Sequence, residues 1–218
     1  MELRFKPDFV QKIALAWAIA SGSWAIAALP AAAHHPMGGR APSTVFEGLL
    51  SGVAHPVIGL DHLAFVIGVG LLAALKPEKG WWVPVAFVLA TLGGTGIHLL
   101  GVDLPFPEIL ISASVLAAGI LLAVSTNLKL LGAIALGIVA GIFHGYAYGE
   151  AIVGAQMTPL IAYLAGFAII QLAIALSAFK LGELALKSLN ENTALSLRFA
   201  GFALCGAGAV FLSSAIFG

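Results

Sequence analysis

Long apolar runs separated by short polar segments constrain this chain more than any other feature of its sequence. A helix needs about 20 consecutive apolar residues to cross the ~30 Å hydrocarbon core of a bilayer. Six such runs follow one another between residues 44 and 218. Only 9% of the 218 residues are charged and the mean hydropathy is +1.05, which is more apolar surface than a soluble domain of this size can bury. The sequence therefore predicts a helical integral membrane protein.

The runs predict an all-α bundle of six transmembrane helices. The loops between them are short, so neighbouring helices should be antiparallel and packed as one domain. The predicted spans are 44–75, 81–100, 107–124, 130–153, 159–186 and 197–217. The first run is too long for one straight helix. Pro56 removes a backbone hydrogen bond and Gly59 weakens the helix further, and we expect the break at His55-Pro56.

The N-terminal segment is typical of a cleavable signal peptide. Basic residues precede an apolar stretch that ends in three consecutive alanines, which fit a cleavage site. We therefore expect residues 1–33 to be a signal peptide, 34–43 to be an external tail and 44–218 to be the transmembrane permease domain. The alternative is an uncleaved first helix, because the apolar stretch is long for a signal peptide.

The charges of the loops predict which side of the membrane each loop faces. With the mature N-terminus outside, the outer segments hold only Arg40 as a basic residue. The inner segments hold Lys76, Lys79, Lys129, Lys180, Lys187 and Arg198. This positive-inside pattern predicts a multi-pass protein of a bacterial inner membrane. The formal net charge is zero, so the sequence does not indicate nucleic acid as a partner.

Ionisable residues inside the apolar runs indicate a functional site, because such groups are costly in a bilayer and usually face the bundle interior. The stretch HPVIGLDH places His55, Asp61 and His62 in the first span. Residues seven apart lie on nearly one helix face, so both histidines could face one pore. A break here would free backbone carbonyls at membrane depth, as in transporter binding sites. The alternative is a proline-kinked span with histidines satisfied in the core.

The fourth span carries FHGYAYGE, within a stripe of glycines at every fourth position. The stripe allows another helix to approach closely, and packing alone explains the glycines themselves. His144 and Tyr148 lie one turn apart beside the stripe, whereas Glu150 falls on the other side of a regular helix.

Histidine and carboxylate side chains together are ligands for a divalent transition metal. In the predicted topology, the charged residues at the inner ends of the last two runs lie outside the membrane, and the remaining ionisable residues of the spans lie near the midplane or toward the outer side. The candidate metal ligands are His55, Asp61, His62, His144, His98, Glu108 and Glu150. We expect the first four of these to converge, which requires the first and fourth spans to be adjacent.

Cleavage after Ala33 would leave His34 and His35 at the new N-terminus, next to a free α-amine. Amine and imidazole nitrogens bind nickel, cobalt or copper in water. The histidine pair is therefore a candidate for capturing metal outside the membrane. The alternative is a polar tail left by processing.

The two histidine-containing stretches resemble the signatures of a known family. HPVIGLDH matches the HxxxxxDH signature of the HupE/UreJ membrane proteins, and FHGYAYGE is similar to their second signature, FHGxAxGxE. The family pattern often has a histidine where Tyr148 stands and a glutamate where Ala151 stands. The resemblance covers nearly the whole chain and implies a nickel or cobalt permease, with functional roles for His55, Asp61, His62 and His144.

The leading prediction is thus a permease that imports Ni²⁺ or Co²⁺ across the lipid bilayer, with no tightly bound cofactor. The sequence contains no GxxxxGK[ST] motif, so nothing in it indicates an ATPase. One alternative is an intramembrane zinc hydrolase, but no HExxH pair is present and Ser112 and Ser114 have no local histidine partner. Another is a metal-independent proton pathway. The choice of metal, the energy coupling and the oligomeric state stay open.

Overall fold

The computed structural model describes residues 40–76, 78–124, 128–187 and 191–218. Seven helices and no strand lie within these residues, so the all-α prediction is confirmed for them. The helices are α1 (Val45–Ile58), α2 (Leu60–Ala74), α3 (Trp82–Leu99), α4 (Pro107–Ala123), α5 (Leu130–Glu150), α6 (Met157–Lys187) and α7 (Glu191–Phe217). The predicted signal peptide and the tail with His34 and His35 lie outside the described residues.

The described helices include four, α3, α5, α6 and α7, that are long and apolar enough to cross a bilayer. The bent pair of α1 and α2 counts as a fifth candidate span when its two halves are taken together. The remaining predicted span coincides with α4, an apolar helix of 17 residues, which is at the lower end of spanning length.

The first predicted span is broken, but at Gly59 rather than at His55-Pro56. Helix α1 continues through Pro56, and the chain bends by 78° before α2 begins. The predicted position was wrong because proline removes one backbone hydrogen bond without forcing a turn. The helical hydrogen bonds of α1 end where the Gly59 N–H donates to the His55 carbonyl at 3.0 Å. Those of α2 begin where the Leu63 N–H donates to the Gly59 carbonyl at 2.8 Å.

Glycines bring the helices together in four close pairs. In each pair a glycine lies directly against the backbone of its partner: Gly52 of α1 against α6, Gly70 of α2 against α6, Gly145 of α5 against α3, and Gly119 of α4 against α7. Such close approach between membrane helices is what small residues permit. The predicted glycine stripe of the fourth span therefore packs against α3, and α2 also packs against α4.

Gly93 and Gly94 are neighbours on α3 with opposite surroundings, and they provide a matched pair of variants. A Cβ at Gly94 would overlap the carbonyl oxygen of Ile142 in α5, whereas a Cβ at Gly93 meets nothing within 4 Å. Gly94→Ala should lower the free energy of unfolding by about 2 kcal/mol, because α3 and α5 must move apart. Gly93→Ala should leave it unchanged. Thermal unfolding in detergent measures both, and equal stability of the two variants would contradict the α3–α5 packing.

Candidate metal-ion site

Three histidines from three helices meet in the core of the bundle. His55 lies in the last turn of α1, His62 in the first turn of α2 and His144 in α5. Their relative exposures are 3%, 2% and 0%. The ring centres of His55 and His62 are 5.8 Å apart, and those of His62 and His144 are 4.9 Å apart. The structure thus brings together the three histidines that the two sequence signatures predicted to converge.

Asp61 stands beside these rings at the start of α2. Its Oδ1 atom accepts the backbone N–H of His62 at 2.8 Å, so the carboxylate lies at the positive end of the helix dipole. Gly59 packs against both residues, since a Cβ there would lie 2.6 Å from His62 Cδ2 and 3.4 Å from Asp61 Oδ1. His62 in turn contacts His144, with 2.7 Å between their Nδ1 atoms. All four residues therefore meet at the bend between α1 and α2.

Hydrogen bonds fix the tautomers of His144 and His62. The Ser114 hydroxyl lies 2.6 Å from the Ile111 carbonyl oxygen, which can only accept, so the hydroxyl donates to it. Ser114 Oγ must then accept from His144 Nε2 at 3.0 Å. In a neutral His144 ring this makes Nδ1 an acceptor, and His62 Nδ1, at 2.7 Å, donates to it. His62 therefore carries its lone pair on Nε2.

The same reasoning assigns the tautomer of His55. The Tyr163 hydroxyl donates to the Tyr148 carbonyl at 2.9 Å, because a carbonyl can only accept. The Tyr163 oxygen must then accept from His55 Nδ1 at 2.9 Å, which leaves the lone pair of a neutral His55 on Nε2. A partner on the far ring nitrogen is typical of metal-binding histidines, because it fixes both the tautomer and the ring orientation.

Two Nε2 lone pairs beside a carboxylate form a donor set that suits a divalent transition metal. An ion about 2.1 Å from each nitrogen holds two imidazole ring centres roughly 6 Å apart, which is close to the separation of His55 and His62. The described residues contain no group of three His, Cys, Asp or Glu side chains that already stand at metal-binding distances. A bound ion would therefore require small side-chain shifts, with water or backbone oxygens completing its shell.

His144 has a different position in this arrangement from that of the other two histidines. Its two ring nitrogens contact His62 and Ser114, and its ring stacks on Phe65 with ring centres 4.7 Å apart. With both nitrogens engaged, His144 would act on a bound ion by orienting His62. The predicted role of His144 as a direct ligand stays a prediction.

The other predicted ligands within the described residues do not join the cluster. His98, at the end of α3, packs edge-on against Tyr146 with ring centres 4.5 Å apart, and Tyr146 faces away from His144 around α5. Glu108 is exposed in the first turn of α4, and Glu150 is exposed as the last residue of α5. These three residues lie toward one end of the bundle, beyond the histidine cluster.

Sequence reasoning missed two residues that the structure places at the site, Ser114 and Tyr163. No local spacing pointed to them, because Ser114 pairs with a histidine 30 positions away and Tyr163 with one 108 positions away. The available signal was their polarity within apolar runs, since a hydroxyl inside a span needs a hydrogen-bond partner on the same or another helix.

Ser114→Ala should lower the affinity for Ni²⁺ about 10- to 100-fold, because it removes the acceptor that holds the tautomer of His144 and, through it, that of His62. Ser112→Ala is the matched control: Ser112 is also buried on α4, and it makes no hydrogen bond to the cluster among the described residues. Equilibrium dialysis of the purified proteins against Ni²⁺ measures the effect. Equal affinities for the two variants would show that the Ser114–His144 contact does not act on the site.

Residues 23–211 match the family described as HupE / UreJ protein. Protein HupE of Rhizobium leguminosarum bv. viciae is 33% identical over 187 residues, which cover 85% of this chain and 92% of that protein. No solved structure matches the chain. The resemblance inferred from HPVIGLDH and FHGYAYGE is thereby confirmed, and the chain belongs to the HupE/UreJ family.

Proposed function

We propose that this protein is a permease that imports Ni²⁺ or Co²⁺ through the cluster of His55, Asp61 and His62. The proposal is carried by the two tautomers that put lone pairs on Nε2 beside a carboxylate, a donor set that both ions accept. Membership of the HupE/UreJ family supports it, because the family is associated with nickel and cobalt transport. The ion is a substrate here and not a resident cofactor.

The proposed path crosses the inner membrane between six spans, with α1 and α2 as one bent span and α4 as the shortest. The ends that carry His98, Glu108 and Glu150 face outward, and the ends rich in lysine and arginine face the cytoplasm. His144 lies six residues before the proposed outer end of α5, about 9 Å along the helix, and this short distance supports a cluster in the outer half. The inside-negative membrane potential favours entry of a divalent cation.

Uptake into liposomes that contain the purified protein tests this function. With an inside-negative potential, we expect uptake of Ni²⁺ and Co²⁺ above that of protein-free liposomes, with each ion competing with the other. His62→Ala should abolish uptake while the variant still inserts. A folded wild-type protein that carries neither ion would contradict the proposal.

The hydrogen bonds of Ser114 do not suit a nucleophilic serine, so they give no support to a hydrolase that would use it. A nucleophilic serine donates its proton to the histidine that acts as the base. Here the Ser114 hydroxyl donates to the Ile111 carbonyl and accepts from His144, which is the opposite direction. The same carbonyl ends the hydrogen-bond chain from His62, and a backbone carbonyl cannot pass a proton onward, so this chain is not a proton pathway either.

A further inference from the structure

A buried glutamine lies deeper in the bundle than the histidine cluster. Gln171 of α6 is 0% exposed in the middle of an apolar run. Tyr163, which hydrogen-bonds His55, precedes Gln171 by eight residues, about 12 Å along α6 toward the proposed cytoplasmic end. Gln171 contacts Thr91 of α3, which is one turn closer to that end than Thr95.

Hydrogen bonds fix which way the Gln171 amide points. The Thr91 hydroxyl donates to the Val88 carbonyl at 2.7 Å, so it can only accept from Gln171, whose Nε2 lies 3.4 Å away. The amide oxygen therefore points away from Thr91. Gln171 Oε1 has no hydrogen-bond partner among the described residues. A buried carbonyl oxygen without a donor is costly, and polar groups inside a membrane mark ion or substrate paths.

Aromatic contacts lead from the histidine cluster to Phe167, which lies one turn before Gln171 on α6. The ring of Tyr148 lies against that of His62, with centres 4.5 Å apart, and against that of Phe167, with centres 5.2 Å apart. Phe167 precedes Gln171 by one turn on the same face of α6. The Tyr148 hydroxyl is also buried without a partner among the described residues, which gives this route a second oxygen.

We propose that Gln171 Oε1 is an inner ligand for the transported ion, occupied after the ion leaves His55, Asp61 and His62. This inference rests on the proposed function. A neutral amide oxygen holds a nickel or cobalt ion more weakly than two imidazoles and a carboxylate do. Conduction through several sites requires ligands that are weak enough to release the ion, and a single amide oxygen meets this requirement on the cytoplasmic side of the cluster.

Gln171→Leu separates binding at the cluster from passage beyond it. Ni²⁺ binding by the purified variant should stay within about twofold of wild type, and the initial rate of uptake into liposomes should fall about tenfold. Gln156→Leu is the matched control, because it makes the same replacement at an exposed residue just before α6, and it should change neither quantity. Wild-type uptake by Gln171→Leu would overturn the proposal.

Gln171→Glu distinguishes a ligand from a structural residue. It keeps the size of the side chain and adds a carboxylate, so equilibrium dialysis should show a second Ni²⁺ bound per protein and uptake should slow because release is slower. A single Ni²⁺ bound per protein in Gln171→Glu would overturn the proposal. Loss of both Ni²⁺ binding and thermal stability in Gln171→Leu would also overturn it, because that result indicates a purely structural role. The number of Ni²⁺ ions bound to Gln171→Glu is measured without transport. Absence of uptake by the wild-type protein would therefore contradict the proposed function without deciding the role of Gln171.

Discussion

Asp61→Asn is expected to lower Ni²⁺ uptake by about 100-fold or more while the protein still inserts and folds. A divalent ion among buried imidazoles needs anionic compensation, and removing one partner of a buried charge pair costs about 3–5 kcal/mol. Asparagine has the same size and keeps an oxygen that can accept the His62 N–H, so the change isolates the charge. Ni²⁺ uptake and Ni²⁺ binding by the purified variant measure the effect.

Asp103→Asn is the control for this experiment, because it removes a carboxylate from an exposed position in the connection between α3 and α4. Loss of an exposed charge should change uptake by no more than about fivefold. Unchanged uptake by Asp61→Asn would show that another carboxylate, Glu108 or Glu150, supplies the charge. The ion would then be bound nearer the outer end of the bundle than the histidine cluster.

Gly59→Ala should lower Ni²⁺ uptake about 100-fold through the position of the ligands. The backbone at Gly59 has φ −70° and ψ 99°, which alanine adopts without strain. A Cβ there would nevertheless lie 2.6 Å from His62 Cδ2 and must push the ring aside. Displacing a functional group by about 1 Å costs a factor of about 100. Binding and uptake should fall together, because the displaced ring holds the ion in both measurements.

Gly206→Ala provides the comparison, since a Cβ at Gly206 of α7 meets nothing within 4 Å. It should transport and unfold like the wild-type protein. Wild-type uptake by Gly59→Ala would show that the ion does not depend on the position of the His62 ring at the bend. That result would contradict the proposed cluster even if Asp61→Asn were inactive.

The apolar runs predicted the helices closely, because hydrocarbon forces the backbone to satisfy its own hydrogen bonds. The predicted span 107–124 and helix α4 differ by one residue, and 81–100 and α3 by one at each end. The predicted span 130–153 is longer than α5, which ends at Glu150 before a turn that contains Gly154 with φ +79°. Hydropathy does not register such a turn, because the residues after Glu150 are mostly apolar.

The position of the bend could not be predicted from local sequence, because Pro56 and Gly59 both weaken the helix. The structure shows what decides between them. Gly52 lies against the backbone of Tyr163, and the His55 ring binds the Tyr163 hydroxyl, so α1 is held along α6 as far as the residue before Pro56. Contact with another helix therefore keeps α1 straight through its proline, and the bend falls at the next weak position.

The candidate site was only partly readable from the sequence. HPVIGLDH and FHGYAYGE contain His55, Asp61, His62 and His144, because costly residues stand out in apolar surroundings. The sequence does not reveal that His144 has both ring nitrogens engaged, since this depends on Ser114 from a third helix. It also gives no spacing that would separate the three histidines from His98, whose aromatic partner lies on another side of α5.

The glycine-packed helix pairs have a mechanical consequence for an ion held at the bend. Because the backbones of a pair are in direct contact, we expect each pair to move as one body. His55 and Tyr163 belong to the same body, α1 with α6, and their hydrogen bond travels with it. The His62–His144 bond instead joins α2 to the α3–α5 body. A rotation of α3–α5 relative to the other helices would therefore break the His62–His144 hydrogen bond first and turn the His62 ring away from the ion, while His55 keeps its orientation.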